Sequence, residues 1–181
     1  PGQVAGWEMA PPLGMDASVA PPMDWGETTT VMMRNLPNKY SQRMLVDEIN
    51  TSFMGAYDFL YLPIDPETAA NRGYAFINFV TPNISWTFKM FFDGRKMNRF
   101  NSNKVVSVAP ATLQGFEANY AHYASARVNR GDPAVRPLFL REPQHNPSGH
   151  GGPRGGGRRN RGGMQQAGNS ASQAPPQLLW Q

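Results

Sequence analysis

The chain has 181 residues, 17 Lys and Arg against 13 Asp and Glu for a net charge of +4, and no cysteine. That length allows one ordinary domain with flanking segments. The missing cysteines exclude disulfide staples and Cys-based zinc sites, and no apolar run approaches the ~20 residues of a membrane-crossing helix. A cysteine-free basic chain suits an intracellular setting, nucleus or cytoplasm, and the opening Pro1 points to a piece of a longer protein.

Charge is distributed unevenly. Residues 1–27 hold Glu8, Asp16, Asp24 and Glu27 with no Lys or Arg, whereas residues 28–112 hold nine basic residues against six acidic ones. Residues 113–181 hold eight Arg against three acids, so the basic remainder suits an anionic partner. Mean hydropathy of −0.51 fits a small core flanked by segments that bury little.

Residues 1–27, with Pro11-Pro12, Pro21-Pro22 and no period of 2 or 3.6, read as a disordered acidic linker. Residues 29–35 are rich in β-formers and end at Leu36-Pro37. Ser41 caps a helix whose Leu45, Ile49 and Phe53 recur every four residues, and Gly55 stops it. Residues 57–63 form a second strand and residues 73–80 a third, joined by a polar loop over residues 66–72. Pro82 opens a second helix with Ile84, Phe88, Phe91 and Phe92 on one side, closed by Asp93-Gly94. Residues 104–109 make the fourth strand.

This order, β-α-β-β-α-β, predicts an α+β ferredoxin-like sandwich over residues 28–112, a four-stranded antiparallel sheet with two helices on one face and the other face open. Residues 113–141 are a C-terminal extension. Within residues 112–126, Leu113, Phe116, Tyr120 and Tyr123 fall at helical spacing, which predicts a third helix packed against an edge of the domain, the alternative being a seat on the open sheet that masks Tyr74 and Phe76. Residues 142–181 read as a disordered Arg/Gly-rich tail carrying Arg154-Gly155-Gly156 and Arg161-Gly162-Gly163, segments of a kind that meets RNA loosely.

The third strand contains Arg72-Gly73-Tyr74-Ala75-Phe76-Ile77-Asn78-Phe79, which fits the RNA-recognition octamer with Ile for Val at its sixth place. Strand alternation turns Ala75, Ile77 and Phe79 to the helices and Arg72, Tyr74, Phe76 and Asn78 to the open face. Two aromatics two residues apart make a platform for successive bases. A strand buried on both sides would be apolar at both phases, but Arg72 and Asn78 share the aromatic phase.

The first strand carries the partner hexamer, Val31 to Leu36, with Met32 and Arg34 on the open face. Met32 stands where an aromatic is usual, and its thioether stacks less well. On the second strand Phe59 and Tyr61 face the open side, so Tyr61 extends the platform. Lys39 and Lys104 are candidate phosphate contacts, with Arg95, Lys96 and Arg99 near the last strand.

At these residues the chain resembles the C-terminal RNA-recognition motif of the Mei-two-like family. The marks are Thr30 through Tyr40, Tyr57 through Asp65, Gly73 through Val80, Phe100-Asn101-Ser102 and Lys104-Val105. Gln114-Gly115, Ala121-His122 and Arg136-Pro137 carry the likeness past the fourth strand, so that it spans roughly residues 28–140. Met at the second hexamer place is a habit of this branch. The resemblance implies an RNA-binding regulator, and binding that uses elements beyond the open sheet, including the segment after the fourth strand.

The function expected is recognition of single-stranded RNA by a monomeric domain. Further proteins would be met through its tails or helices, and no membrane is involved. His122, His145 and His150 lack metal-ligand spacing, and no nucleophile–base pair or phosphate loop is present, so neither metal, cofactor nor catalysis is expected. A rival from another class is a protein-interaction module of the same fold, favoured by Met32, Phe91-Phe92 and the third helix.

Overall fold

The computed structural model describes residues 20–144. The elements run β1 (Thr30–Arg34), α1 (Gln42–Phe53), β2 (Tyr57–Tyr61), β3 (Tyr74–Phe79), α2 (Pro82–Phe92), β4 (Ser107–Pro110), α3 (Phe116–Tyr123) and β5 (Leu138–Phe139). The first six are the predicted order, and both long helices start as the sequence indicates. The Ser41 hydroxyl accepts from the Met44 N–H, and the Thr81 hydroxyl from the Ile84 N–H, with Pro82 in the first turn of α2.

The strands pair antiparallel in the order β4-β1-β3-β2-β5. One face meets α1 and α2. There Val31, Met33, Leu60, Leu62, Ala75, Ile77 and Phe79 pack on Leu45, Ile49, Phe53, Phe88 and Phe92. Phe53 stands at the centre, edge-on to Phe88 at 5.2 Å. Asn71 ties the β2–β3 loop down: its side-chain amide donates to the Pro37 and Tyr40 carbonyls, and its side-chain oxygen accepts the Gly73 N–H. Gly73 takes a left-handed φ of +84° to make this entry into β3.

Three expectations are corrected. The sheet has five strands, not four, because Leu138 and Phe139 pair with Leu60 and Phe59 along the outer side of β2. The third helix lies on the sheet face opposite α1 and α2, not at an edge: Phe116, Tyr120 and Tyr123 pack over Phe59 and Tyr61. The linker does not run unfolded up to residue 27. Trp25 is buried, its indole N–H donates to the Ser85 hydroxyl at 2.9 Å, and its ring stands edge-on to Trp86 at 5.2 Å. A lone Trp in a Pro-rich segment carries no periodicity, which is why pattern reasoning passes over it. The Arg-Gly-Gly tail, His145, His150 and the first part of the linker lie outside the described residues.

Candidate nucleic-acid interface

The sheet face away from α1 and α2 divides into two halves along β3. On the β2 side Phe59 and Tyr61 point out of the sheet, as alternation requires, and are then covered. Tyr123 stacks on Phe59 at 5.6 Å and lies 5.0 Å from Tyr61, while Phe139 and Phe116 close the cluster. Phe59 has 0% of its surface exposed and Tyr61 has 9%.

A polar network holds this cover in place. The Gln114 side chain accepts from the N–H groups of Thr29 and Thr30 and donates to the Thr30 carbonyl, so it pairs with the edge of β1 as a strand would. The chain then turns at Gly115, whose φ of +85° and ψ of 154° belong to glycine, and the Gly115 N–H donates to the Thr30 hydroxyl. The Thr30 hydroxyl also takes the Asn119 amide and donates to Asn78, and the Asn78 amide donates to Asp58. Arg141 completes the set. It donates to Asp58 and to Glu117, both at 2.9 Å, with its guanidinium 3.7 Å above the Phe116 ring.

Thr30, Asp58, Asn78 and Asn119 are all buried with partners, as buried polar groups must be. Strand alternation alone places Asn78 on the open surface. It is on that face but spends both ends of its amide inside the protein, at 3% exposure. A polar residue on the outward phase of a strand fits burial in such a network as well as it fits solvent, and the octamer alone does not distinguish the two.

The β4–β1–β3 half is open, with Phe76 touching the margin of the covered cluster. Tyr74 and Phe76 are half-exposed and edge-on to each other at 5.7 Å. In the register Arg34 stands opposite Tyr74, Met32 opposite Phe76, and Ala109 opposite Met32 on the other side. The Arg34 guanidinium rests on the Met32 sulfur at 3.3 Å. Arg72 is exposed at the entry to β3, 3.9 Å from Asp65, a loose pair that leaves the guanidinium available. Lys104 is committed to the protein, bonding the Leu36 carbonyl and the Asn38 side chain. Lys39 is exposed but lines a different cleft of about 420 Å³ among Tyr40, Ile64, Ala69 and Val135, which none of the platform residues borders.

Of the nine predicted site residues, the structure therefore gathers Arg34, Met32, Tyr74, Phe76 and Arg72 on one open surface. Tyr61 sits at its covered margin, Asn78 lies under the cover, and Lys39 and Lys104 stand apart. Residues that sequence reasoning missed are Gln114, Asn119, Phe139 and Arg141. Their only signal was the likeness at Gln114-Gly115 and Arg136-Pro137. Burial raises the Tyr61 and Tyr123 phenols, Tyr123 to about 12, with the neighbouring tyrosines adding to the effect, so both stay neutral at physiological pH. His122 is exposed on α3 with its ring edge-on to Tyr123 at 4.6 Å. Among the described residues no group of His, Asp and Glu is placed to hold a metal, and no helix is long and apolar enough to cross a membrane.

Residues 28–124 match the family described as RNA recognition motif 2. Among curated relatives, the protein named MEI2-like 5 of Oryza sativa subsp. japonica is 44% identical over 117 residues, 65% of this chain and 14% of the relative. Its namesake of Arabidopsis thaliana is 43% identical over the same length, 65% of this chain and 15% of that protein. The chain thus spans about a seventh of the length of these relatives. Of solved structures, one titled as the Rna15 RRM with bound RNA (GU) matches at 16% identity and a TM-score of 0.42, covering 54% of this chain and 97% of the other.

Proposed function

Because the chain belongs to the RNA recognition motif 2 family, we propose that it binds single-stranded RNA along the β4–β1–β3 half of its sheet, as the RNA-binding unit of a regulator of Mei-two-like type. The observation that carries this reading is the pairing of Tyr74 and Phe76 on the half of the face that α3 leaves bare. Bases stack on such rings whatever their identity, because every base has a π-face. Arg34 and Arg72, at opposite strands of the same end of the platform, supply cations for the phosphates. Met32 offers a softer, polarizable surface to a neighbouring base.

The cover narrows the path. An RNA strand crossing β3 toward β2 meets the wall of α3, so it runs over β1 and β3 with Tyr123 at its flank. The wall is fixed by the Gln114, Asn119 and Arg141 bonds, so binding requires no prior opening of the domain.

The test is a set of dissociation constants for one short single-stranded RNA at fixed salt. Tyr74→Ala and Phe76→Ala should each lose ~1–3 kcal/mol, roughly tenfold or more, while their unfolding curves stay near the parent's. The parent's affinity should also fall as salt rises, because phosphate contacts release counterions. Two folded alanine variants that bind as tightly as the parent would end the stacking reading. Binding to a peptide that is indifferent to salt would favour a protein-interaction module instead.

A further inference from the structure

Stacking on Tyr74 and Phe76 gives affinity without choice of base. Choice needs hydrogen bonds to base edges, and the covered margin of the platform supplies the groups. Tyr61 is the register partner of Phe76, on the same face of the adjacent strand. Tyr123 descends from α3 onto Tyr61, 5.0 Å between rings, so a base lying on Phe76 points one edge at this pair. Tyr74 stands beside Phe76 on the same strand, 5.7 Å between rings. Neither the Tyr61 nor the Tyr123 hydroxyl has a hydrogen-bond partner among the described residues, although both rings are largely enclosed. The Arg72 guanidinium acts on the same corner, near enough to influence the Tyr61 phenol.

We infer that Tyr61, Tyr74 and Tyr123 form a hydrogen-bonding rim that reads the edge of the base stacked on Phe76, and that the rim favours a base with a carbonyl-rich edge, uracil over adenine. This rests on the reading of the bare half-sheet as the RNA platform. Each phenol carries one O–H donor and Arg72 adds more, while Asp58 is held by Asn78 and Arg141, and Asp65 by the Glu67 and Thr68 N–H groups and by Arg72. A donor-rich corner suits the two carbonyl oxygens of uracil. The exocyclic amine of adenine finds only phenol oxygens to accept from it, weaker acceptors than a carboxylate. The wall of α3 is then part of the recognition surface, with Tyr123 placed by the same packing that buries Phe59.

The experiment uses the full chain with eight-nucleotide oligo(U) and oligo(A) at fixed salt, for the parent, Tyr61→Phe, Tyr74→Phe, Tyr123→Phe and Phe76→Ala. Each Tyr→Phe change keeps the ring and removes one oxygen, and thermal unfolding checks that the fold is kept. The parent should bind oligo(U) more tightly. Each phenylalanine variant should reduce the U-over-A ratio by roughly three- to tenfold, as loss of one modest hydrogen bond does. Phe76→Ala should weaken both RNAs together. Phenylalanine variants that keep the parent's ratio, beside a weakened Phe76→Ala, overturn the rim and leave the platform standing. A parent that binds both RNAs equally overturns the rim as well. If folded Phe76→Ala binds as the parent does, the platform reading fails and takes the rim with it.

Discussion

The two halves of one sheet face obey the same alternation and meet different ends. On β3, Tyr74 and Phe76 stay half-exposed, and on β2, Phe59 and Tyr61 point the same way and are roofed by α3 and β5. The difference lies in the polar groups that border each set of rings. Beside the covered rings lie Asp58 on β2, Asn78 on β3 and Thr30 at the start of β1, three polar groups that a covering segment satisfies through Arg141 and Asn119 and through the Gly115 N–H. Farther along β1 stand Met32 and Arg34, whose side chains bond only each other among the described residues. An aromatic row is thus a core or a platform according to the polar groups beside it. The octamer motif reports the row alone.

Four changes would break or sharpen this contrast. The largest effect belongs to Phe59→Ala. Deleting a wholly buried ring should cost ~3–5 kcal/mol in chemical unfolding. A cost similar to that of Tyr74→Ala would mean the two halves are not different in kind. Next comes Gly115→Ala. Nothing lies within 4 Å of the added Cβ, so the penalty is conformational and should be about 1–3 kcal/mol for forcing a glycine-only backbone. It should appear as faster hydrogen exchange in α3, with β1 and β3 protected as before. Wild-type exchange throughout would show that the turn does not hold the roof.

On the bare half, Met32→Phe adds a ring opposite Phe76. It should tighten binding to a short single-stranded RNA by up to roughly tenfold, the lower part of the range for one base–aromatic contact. A neutral result beside weak Tyr74→Ala and Phe76→Ala variants would confine the bases to β3. The smallest effect concerns pH. The Gln144 N–H, and then the Arg141 guanidinium, hold the Glu117 carboxyl below its ordinary range. A lowered folded value stabilises the roof above the ordinary carboxylate pKa. That contribution is lost as pH falls through the depressed value. Amide exchange at Gln144 should therefore quicken only in strongly acidic solution, and Glu117→Gln should abolish the step. A step in the neutral range would point to another group.

The amino-acid pattern carried the framework. Ser41 and Pro82 marked the helix starts, and the outward phase of β3 was legible from Arg72, Tyr74 and Phe76. The phases of Phe59 and Tyr61 were equally legible, because alternation is local. Their covering was not. It depends on a two-residue strand, Leu138–Phe139, too short to show any period, and on single side chains such as Gln114 and Arg141 whose partners lie far off in sequence. The spacing of Phe116, Tyr120 and Tyr123 revealed a helix, but that helix has only a weak apolar face, so its seat could not be read from periodicity. Trp25 belongs with these: one aromatic, docked by one hydrogen bond to Ser85, in a stretch with no pattern.

The bond between Arg141 and Asp58 closes a loop of 83 residues, and Gln114 reaches Thr30 across 84. Contacts this distant in sequence are slow to form, since the chain must first lose the freedom of everything between them. A ribosome making this protein releases all of the β-α-β-β-α-β unit before Leu138, Phe139 and Arg141 emerge. Until α3 emerges Phe59 and Tyr61 are wet, and until Arg141 emerges Asp58 keeps only the Asn78 amide among its side-chain partners. The nascent domain thus presents an aromatic face that spans both halves of the sheet, wider than the one it keeps, until the last thirty residues of the fold narrow it.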